Sequence, residues 1–334
     1  IVVLIALLIA SVLLPSFSFT PSDNPTRTQQ STDAWQVQLT RSDASAAERI
    51  AAADVLQDRL DRLVWQRTLI AVLQSLPDQG SDPSLRTGLW QRVASGPQAA
   101  LAPDLLAAYQ TGQLSPSSWR TLFLEDGWPR LLAPFAAQLV PTQTDLAALA
   151  WGVDVLLAAD EVEVRGLTQD GNLRTIGAAR WVWVWWRSVV YSGRLGPPVW
   201  EAEPTLAEVP QDATHPLVDR MLLARVSQLP TYLQEPVRQW LERWVAAGRR
   251  PLSQAQESTR DQPPNSDADS EDTSGNDRDG SYIDAVLDAL SVLTTATEGP
   301  STQIDQLWRS IAEDASTSDA YRAAAQERVE DDRR

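Results

Sequence analysis

Five carboxylates are placed where they could do acid–base chemistry: Glu125, Asp126, Asp154, Glu161 and Glu163. Hydrolysis of a glycosidic bond needs no more than one carboxyl with a raised pKa as acid and a second, ionised one as base or nucleophile. Glu161 and Glu163 sit two apart in an alternating stretch, which puts both on one face of a strand. Glu125-Asp126 precedes Gly127 in a turn-like sequence, and Asp154 lies in an apolar helical pattern, on the face opposite Leu146, Leu149, Val153, Leu156 and Leu157. Sequence gives no separation between any two of them, and the plainer reading of each is a solvated surface charge.

Other chemistries are closed off by composition. There is no cysteine and hence no thiolate nucleophile, disulfide or thiolate metal site. All 28 basic residues are arginine, so a Ser–Lys nucleophile cannot be assembled. The single histidine, His215, stands before Pro216 and reads as the start of a helix. No G-x-S-x-G elbow, no phosphate-binding G-x-x-x-x-G-K-[ST] and no G-x-G-x-x-G after a strand is present. The sequence therefore predicts no cofactor and no nucleotide. A formal charge of −16 without a basic cluster argues against a nucleic-acid partner. The acidic segment holds DRDG, Asp277 to Gly280, which invites a calcium reading. With Gly280 at the glycine of an EF loop, Asp277 and Asp279 fall on ligand positions, but Gly275 and Val286 fall where the first and last ligands belong. A flexible acidic spacer is the simpler account.

The remaining unusual feature is RWVWVWWRSVVY, Arg180 to Tyr191. Its β-branched and aromatic residues favour a strand. On a strand Trp181, Trp183 and Trp185 share one face, and Val182, Val184 and Trp186 the other. Core packing is the first reading of these indoles. Insertion at a membrane interface, with Arg180 and Arg187 meeting headgroups, is the second. A ligand-stacking or protein-contact surface is the third. The interaction candidates are thus Trp181, Trp183, Trp185, Trp186, Arg180 and Arg187.

These residues have to be positioned by an architecture that the pattern also outlines. Ile1–Leu14 is apolar but for Ser11, and with the following residues it predicts a transmembrane anchor or signal peptide over 1–18. The chain opens without Met, so a full span would begin upstream. Residues 19–40 read as a polar tether, and 41–250 as a main helical domain. Ser45-Ala-Ala-Glu48 is a capping box, from which one helix is expected to run to about Leu76 with Asp58 and Arg62 paired along it. Short helices punctuated by Pro97, Pro103, Pro116, Pro129 and Pro134 follow, the prolines marking starts. EVEVRGL, TQDGN and LRTIGA read as a hairpin, and the Trp-rich stretch as a third strand, giving a small sheet over 161–191. Helices are expected at 215–229 and 233–247. Residues 251–281 are an acidic disordered linker by composition, and 282–334 a C-terminal helical pair and charged tail that either docks back or binds another protein.

The fold class is mainly α with a small antiparallel β-sheet. The expected function is that of a membrane-tethered or exported, non-catalytic scaffold protein working through other proteins or the membrane surface, the bulk of the chain lying extracytoplasmically. The alternative is an extracytoplasmic carbohydrate-active hydrolase or binder using paired carboxylates and tryptophan platforms.

Overall fold

The computed structural model describes residues 32–77, 82–125, 127–167, 173–192, 195–196, 198, 216–246, 274–298, 302–315, 317 and 319–331. The segment 1–18, most of the tether and His215 lie outside them. The chain divides into two compact units, one running to Trp65 and the other beginning at Gln66.

In the first unit α1 (Thr32–Thr40) packs on α2 (Ala46–Gln57). The capping box forms as expected: the Ser45 hydroxyl accepts from the Glu48 N–H, and Glu48 accepts from the Ser45 N–H at 2.8 Å. Arg49, buried, donates Nε to Leu39 O at 2.7 Å and joins the two helices. The single long helix expected here is instead two, because the chain turns at 58–61 and restarts as α3 (Arg62–Ser75). The Asp58 and Arg59 N–H groups close back on Leu56 O, and Asp61 accepts the Leu63 N–H at 2.9 Å, capping α3. Asp58 and Arg62 therefore do not share one helix.

The second unit continues with α4 (Pro83–Ala94), α5 (Ala102–Gln110), α6 (Pro116–Phe123), α7 (Trp128–Leu139) and α8 (Leu146–Ala158). Proline stands in the first turn of α4, α5, α6 and α7, as N-terminal proline should. Pro134 differs, lying inside α7, where it removes the donor that Arg130 O would otherwise receive. Helices α7 and α8 pack closely. Gly152 makes this possible: a methyl group there would sit 2.6 Å from Val140 Cγ2.

The hairpin is present as β1 (Glu163–Leu167) and β2 (Leu173–Gly177), antiparallel with Val164 opposite Ile176. The third strand is not. Residues Ala178–Ser192 form a helix, α9, that starts directly from β2. Strand propensity yields here to burial: a helix covered by neighbours can be apolar all round, and α9 lies among α8, α7, β1 and β2. Helical spacing then pairs the indoles differently from a strand. Trp181 stacks on Trp185 one turn away at 6.3 Å, and Trp183 meets Trp186 edge-on at 6.0 Å.

The unit closes with α10 (Pro216–Leu223), α11 (Thr231–Ala246), α12 (Ser274–Glu298), α13 (Thr302–Glu313) and α14 (Asp319–Asp331). Helix α12 begins within the segment expected to be disordered linker. The C-terminal helices dock back, α12 packing on α10 and α11. No helix among the described residues is long and apolar enough to cross a membrane.

Gly152→Ala should lower stability by about 1–3 kcal/mol, the range for overpacking a filled interior. Thermal or urea denaturation measures it, and an unchanged midpoint would show that Val140 gives way freely.

Candidate functional site

Three of the five sequence-derived carboxylates come to one place. Glu125, Glu161 and Glu163 line a cleft of about 690 Å³, together with Asp160, Arg130, Gly127 and the ends of the adjoining elements. Two chain reversals build it. Helix α6 stops at Leu124, and Gly127, at φ 86°, takes the left-handed conformation that lets α7 begin at Trp128. On the other side α8 ends at Ala158, and the Val162 N–H donates to Ala159 O at 2.8 Å, turning the chain into β1. The Ala178 N–H donates to Val162 O at 2.8 Å and ties the start of α9 to the same turn. With Val164 buried beneath β1, strand alternation sends Glu163 outward.

The cleft is acidic and open to water. Glu125, Glu161 and Glu163 are exposed, Asp160 is half-buried, and Arg130 is the cation in the lining. Among the described residues no three carboxylate or histidine groups converge to hold a metal ion. Asp160 is the one fixed member. Tyr232, from the start of α11, donates its hydroxyl to Asp160 Oδ1 at 2.6 Å. Although the Tyr232 ring is largely exposed, partial desolvation of its hydroxyl, then the hydrogen bond to Asp160 and its negative charge, push the phenol up to about 12, against a weaker opposing pull from Arg180. Sequence reasoning missed Asp160, Arg130 and Tyr232. Asp160 stands beside two selected glutamates in DEVE and could have been found there; nothing near Tyr232 in the chain announces it.

Asp154 is elsewhere and is spent. Its helical pattern suggested a face away from the apolar one, but it is fully buried because the central turns of α8, Trp151 to Leu157, are covered all round. Arg225, itself buried, donates Nε to Asp154 Oδ1 at 2.5 Å and Nη2 to Oδ2 at 3.4 Å, and gives Nη1 to Met221 O at 2.8 Å. Arg120, half-exposed on α6, approaches Oδ2 at 3.7 Å. The Tyr109 hydroxyl nearby is pushed up by burial and by the charge of Asp154. A carboxylate held by a bidentate guanidinium joins α8 to the segment after α10. Asp126 lies outside the described residues.

The tryptophans of α9 form no exposed ridge. Trp181, Trp183, Trp185 and Trp186 are all buried. Trp183, Trp186, Trp240 and Trp244 make an edge-to-face cluster with centroids as close as 4.6 Å, joined by Tyr282. Trp186 donates Nε1 to Asp219 Oδ1 at 3.1 Å, and Trp185 to Gly196 O at 3.1 Å. Arg187 lies over the Trp183 ring at 5.5 Å, and Arg180 is exposed near Tyr232. Asp277 and Asp279 belong to the first turns of α12, and Gly280, which an EF loop needs for a sharp turn, is helical.

Comparison with known protein families, with curated proteins and with solved structures finds no match to this chain.

Two outcomes follow. Asp154→Ala strands the Arg225 charge in the interior and should cost about 3–5 kcal/mol, most of it recovered when Arg225→Met is added; denaturation midpoints of the two variants decide this. For Tyr232, a phenol whose pKa is higher folded than unfolded contributes stability that is whole below pH 10 and is lost as pH rises toward 12. Tyr232→Phe should flatten that alkaline limb, and an identical pH profile for the variant would contradict it.

Proposed function

We propose that this chain is a non-catalytic interaction protein, tethered to or exported across a membrane through residues 1–18, whose acidic cleft receives a basic segment of another protein. One observation carries the reading: Glu125, Asp160, Glu161 and Glu163 share the lining of a single open cleft with one arginine. Carboxylates left in water keep their charge and act at a distance, steering an oppositely charged partner and fixing its register more than adding affinity. The same charge weighs against the membrane surface as the direct ligand. Anionic headgroups repel acidic surfaces, and a net charge of −16 extends that repulsion over the chain. Nucleic acid is disfavoured for the same reason.

The hydrolase reading keeps one supporting feature, the grouping of Glu125 with Glu161 and Glu163. It lacks the sugar-stacking platform that the tryptophans were to provide, because those indoles lie in the core.

The test is a titration of the intact chain with an arginine-rich peptide, read by fluorescence anisotropy at two salt concentrations. Binding should weaken at higher salt, and Glu161→Arg with Glu163→Arg should reduce affinity about tenfold or more, the effect of roughly 1.4 kcal/mol. The control reversal, Glu327→Arg with Glu330→Arg on α14, should change it little. Equal losses in both variants would show general charge attraction and remove the cleft from the proposal. Membrane fractionation with protease accessibility tests the tether, and full protease protection of the folded units in intact cells with no membrane association would refute it.

A further inference from the structure

The small sheet has an edge whose hydrogen-bonding groups follow from its register. Among the described residues β1 pairs with β2 alone, Glu163 opposite Gly177, Val164 opposite Ile176 and Arg165 opposite Thr175. One step before Glu163, the Ala178 N–H donates to Val162 O at 2.8 Å. Bonded and non-bonded pairs alternate along an antiparallel ladder. Val164 and Ile176 are therefore a bonded pair, while the N–H and C=O groups of Glu163 and Arg165 point away from β2. No other described residue takes those groups. A backbone group without a protein partner is met by water, so the outer edge of β1 is open.

The side chains along this edge are complementary to themselves. With Val164 buried, Glu163 and Arg165 share the exposed face, and neither has an ion-pair partner among the described residues. Two copies of β1 laid antiparallel about a two-fold axis at Val164 set Glu163 of each against Arg165 of the other. In that register the outward backbone groups of both residues also meet and exchange bonds. A slip of two residues sets Glu163 against Glu163 or Arg165 against Arg165, which like-charge repulsion opposes. Joining the copies turns a marginal two-stranded sheet into a four-stranded one.

We infer that the outer edge of β1 is a self-association surface, which takes the β1 edge of a second copy of this chain in an antiparallel pair closed by two Glu163–Arg165 ion pairs. The joined edge is short, so the dimer is weak, with a Kd on the order of tens of micromolar. An isologous contact of this kind stops at two chains. Arg165 lies outside the acidic cleft, and the backbone edge owes nothing to it. Glu163 belongs to both, so a second copy and a basic peptide compete for that carboxylate.

Sedimentation velocity of the full chain over about 1–300 μM, a range that brackets such a Kd, should show reversible dimers. Glu163→Arg and Arg165→Glu each bring like charges together twice across the axis, and each should weaken the dimer about tenfold or more. The chain carrying both substitutions should dimerise like the original, and the two single variants, once mixed, should form a one-to-one heterodimer. General repulsion between acidic chains predicts otherwise, since Glu163→Arg relieves it and Arg165→Glu adds to it. In the unmodified chain, the amides of Glu163 and Arg165 should gain protection from hydrogen exchange as concentration rises, whereas that of Val164, already bonded to Ile176, should not. A chain monomeric over the whole range would overturn the inference, as would a dimer indifferent to both reversals or edge amides indifferent to concentration. A monomer that still binds the arginine-rich peptide would leave the cleft reading standing without this one.

Discussion

An indole removed from water brings an N–H with it, and that constraint organises much of this protein. With fourteen tryptophans in the chain, the donors need acceptors on other elements, and many find them. Trp65 donates to Ala53 O at 2.7 Å, Trp128 to Ala94 O at 2.8 Å, Trp90 to Gln113 O at 3.3 Å and Trp186 to Asp219. Each bond ties a side chain to a point distant in sequence, and so sets how far one element can slide along another. Trp119, Trp151 and Trp181 are buried with no acceptor for Nε1 among the described residues. Magnitudes explain why they persist. An unmet donor costs about 1–3 kcal/mol, while burying an aromatic of 150–250 Å² at about 25 cal/mol per Å² returns at most about 4–6 kcal/mol. Packing wins, with help from the ring contacts of Trp119 with Phe123 and Trp151.

Charge is sorted by the same interior. A carboxylate taken into the core needs a partner there, and Asp154 has Arg225 bidentate across it. The carboxylates that line the cleft lie where helices end, at the α6–α7 reversal and at the passage from α8 into β1. Asp160 stands between the two groups, half-buried and hydrogen-bonded by Tyr232.

What could be read from the chain was local. The capping box at Ser45, the starts at Pro103, Pro116 and Pro129 and the alternation of the hairpin each act within a few residues and are found where their spacing placed them, whereas Pro97 opens no helix and Pro134 lies inside one. What could not be read depends on neighbours far along the chain. Asp61 carries a capping signal too, but the apolar periodicity continues across it and hides the break between α2 and α3. The stretch from Trp181 to Trp186 has strand-forming residues and no period, and only the cover supplied by α8, α11 and the hairpin makes a helix of it. The grouping of Glu125 with Glu161 and Glu163 needed the α7–α8 pairing, which turns on Gly152, a glycine whose surroundings the sequence does not give.

The edge-to-face array of Trp183, Trp186, Trp240 and Trp244 has an optical consequence. Centroids 4.6–5.1 Å apart with rings at 72–90° bring strongly absorbing chromophores into coupling range in a fixed, asymmetric arrangement. Their transitions mix as an exciton, and the resulting circular dichroism falls across the ultraviolet region used to judge helicity. A protein that is mainly helix will give a spectrum that misstates its helix content, and the misstatement will vanish when the array loosens.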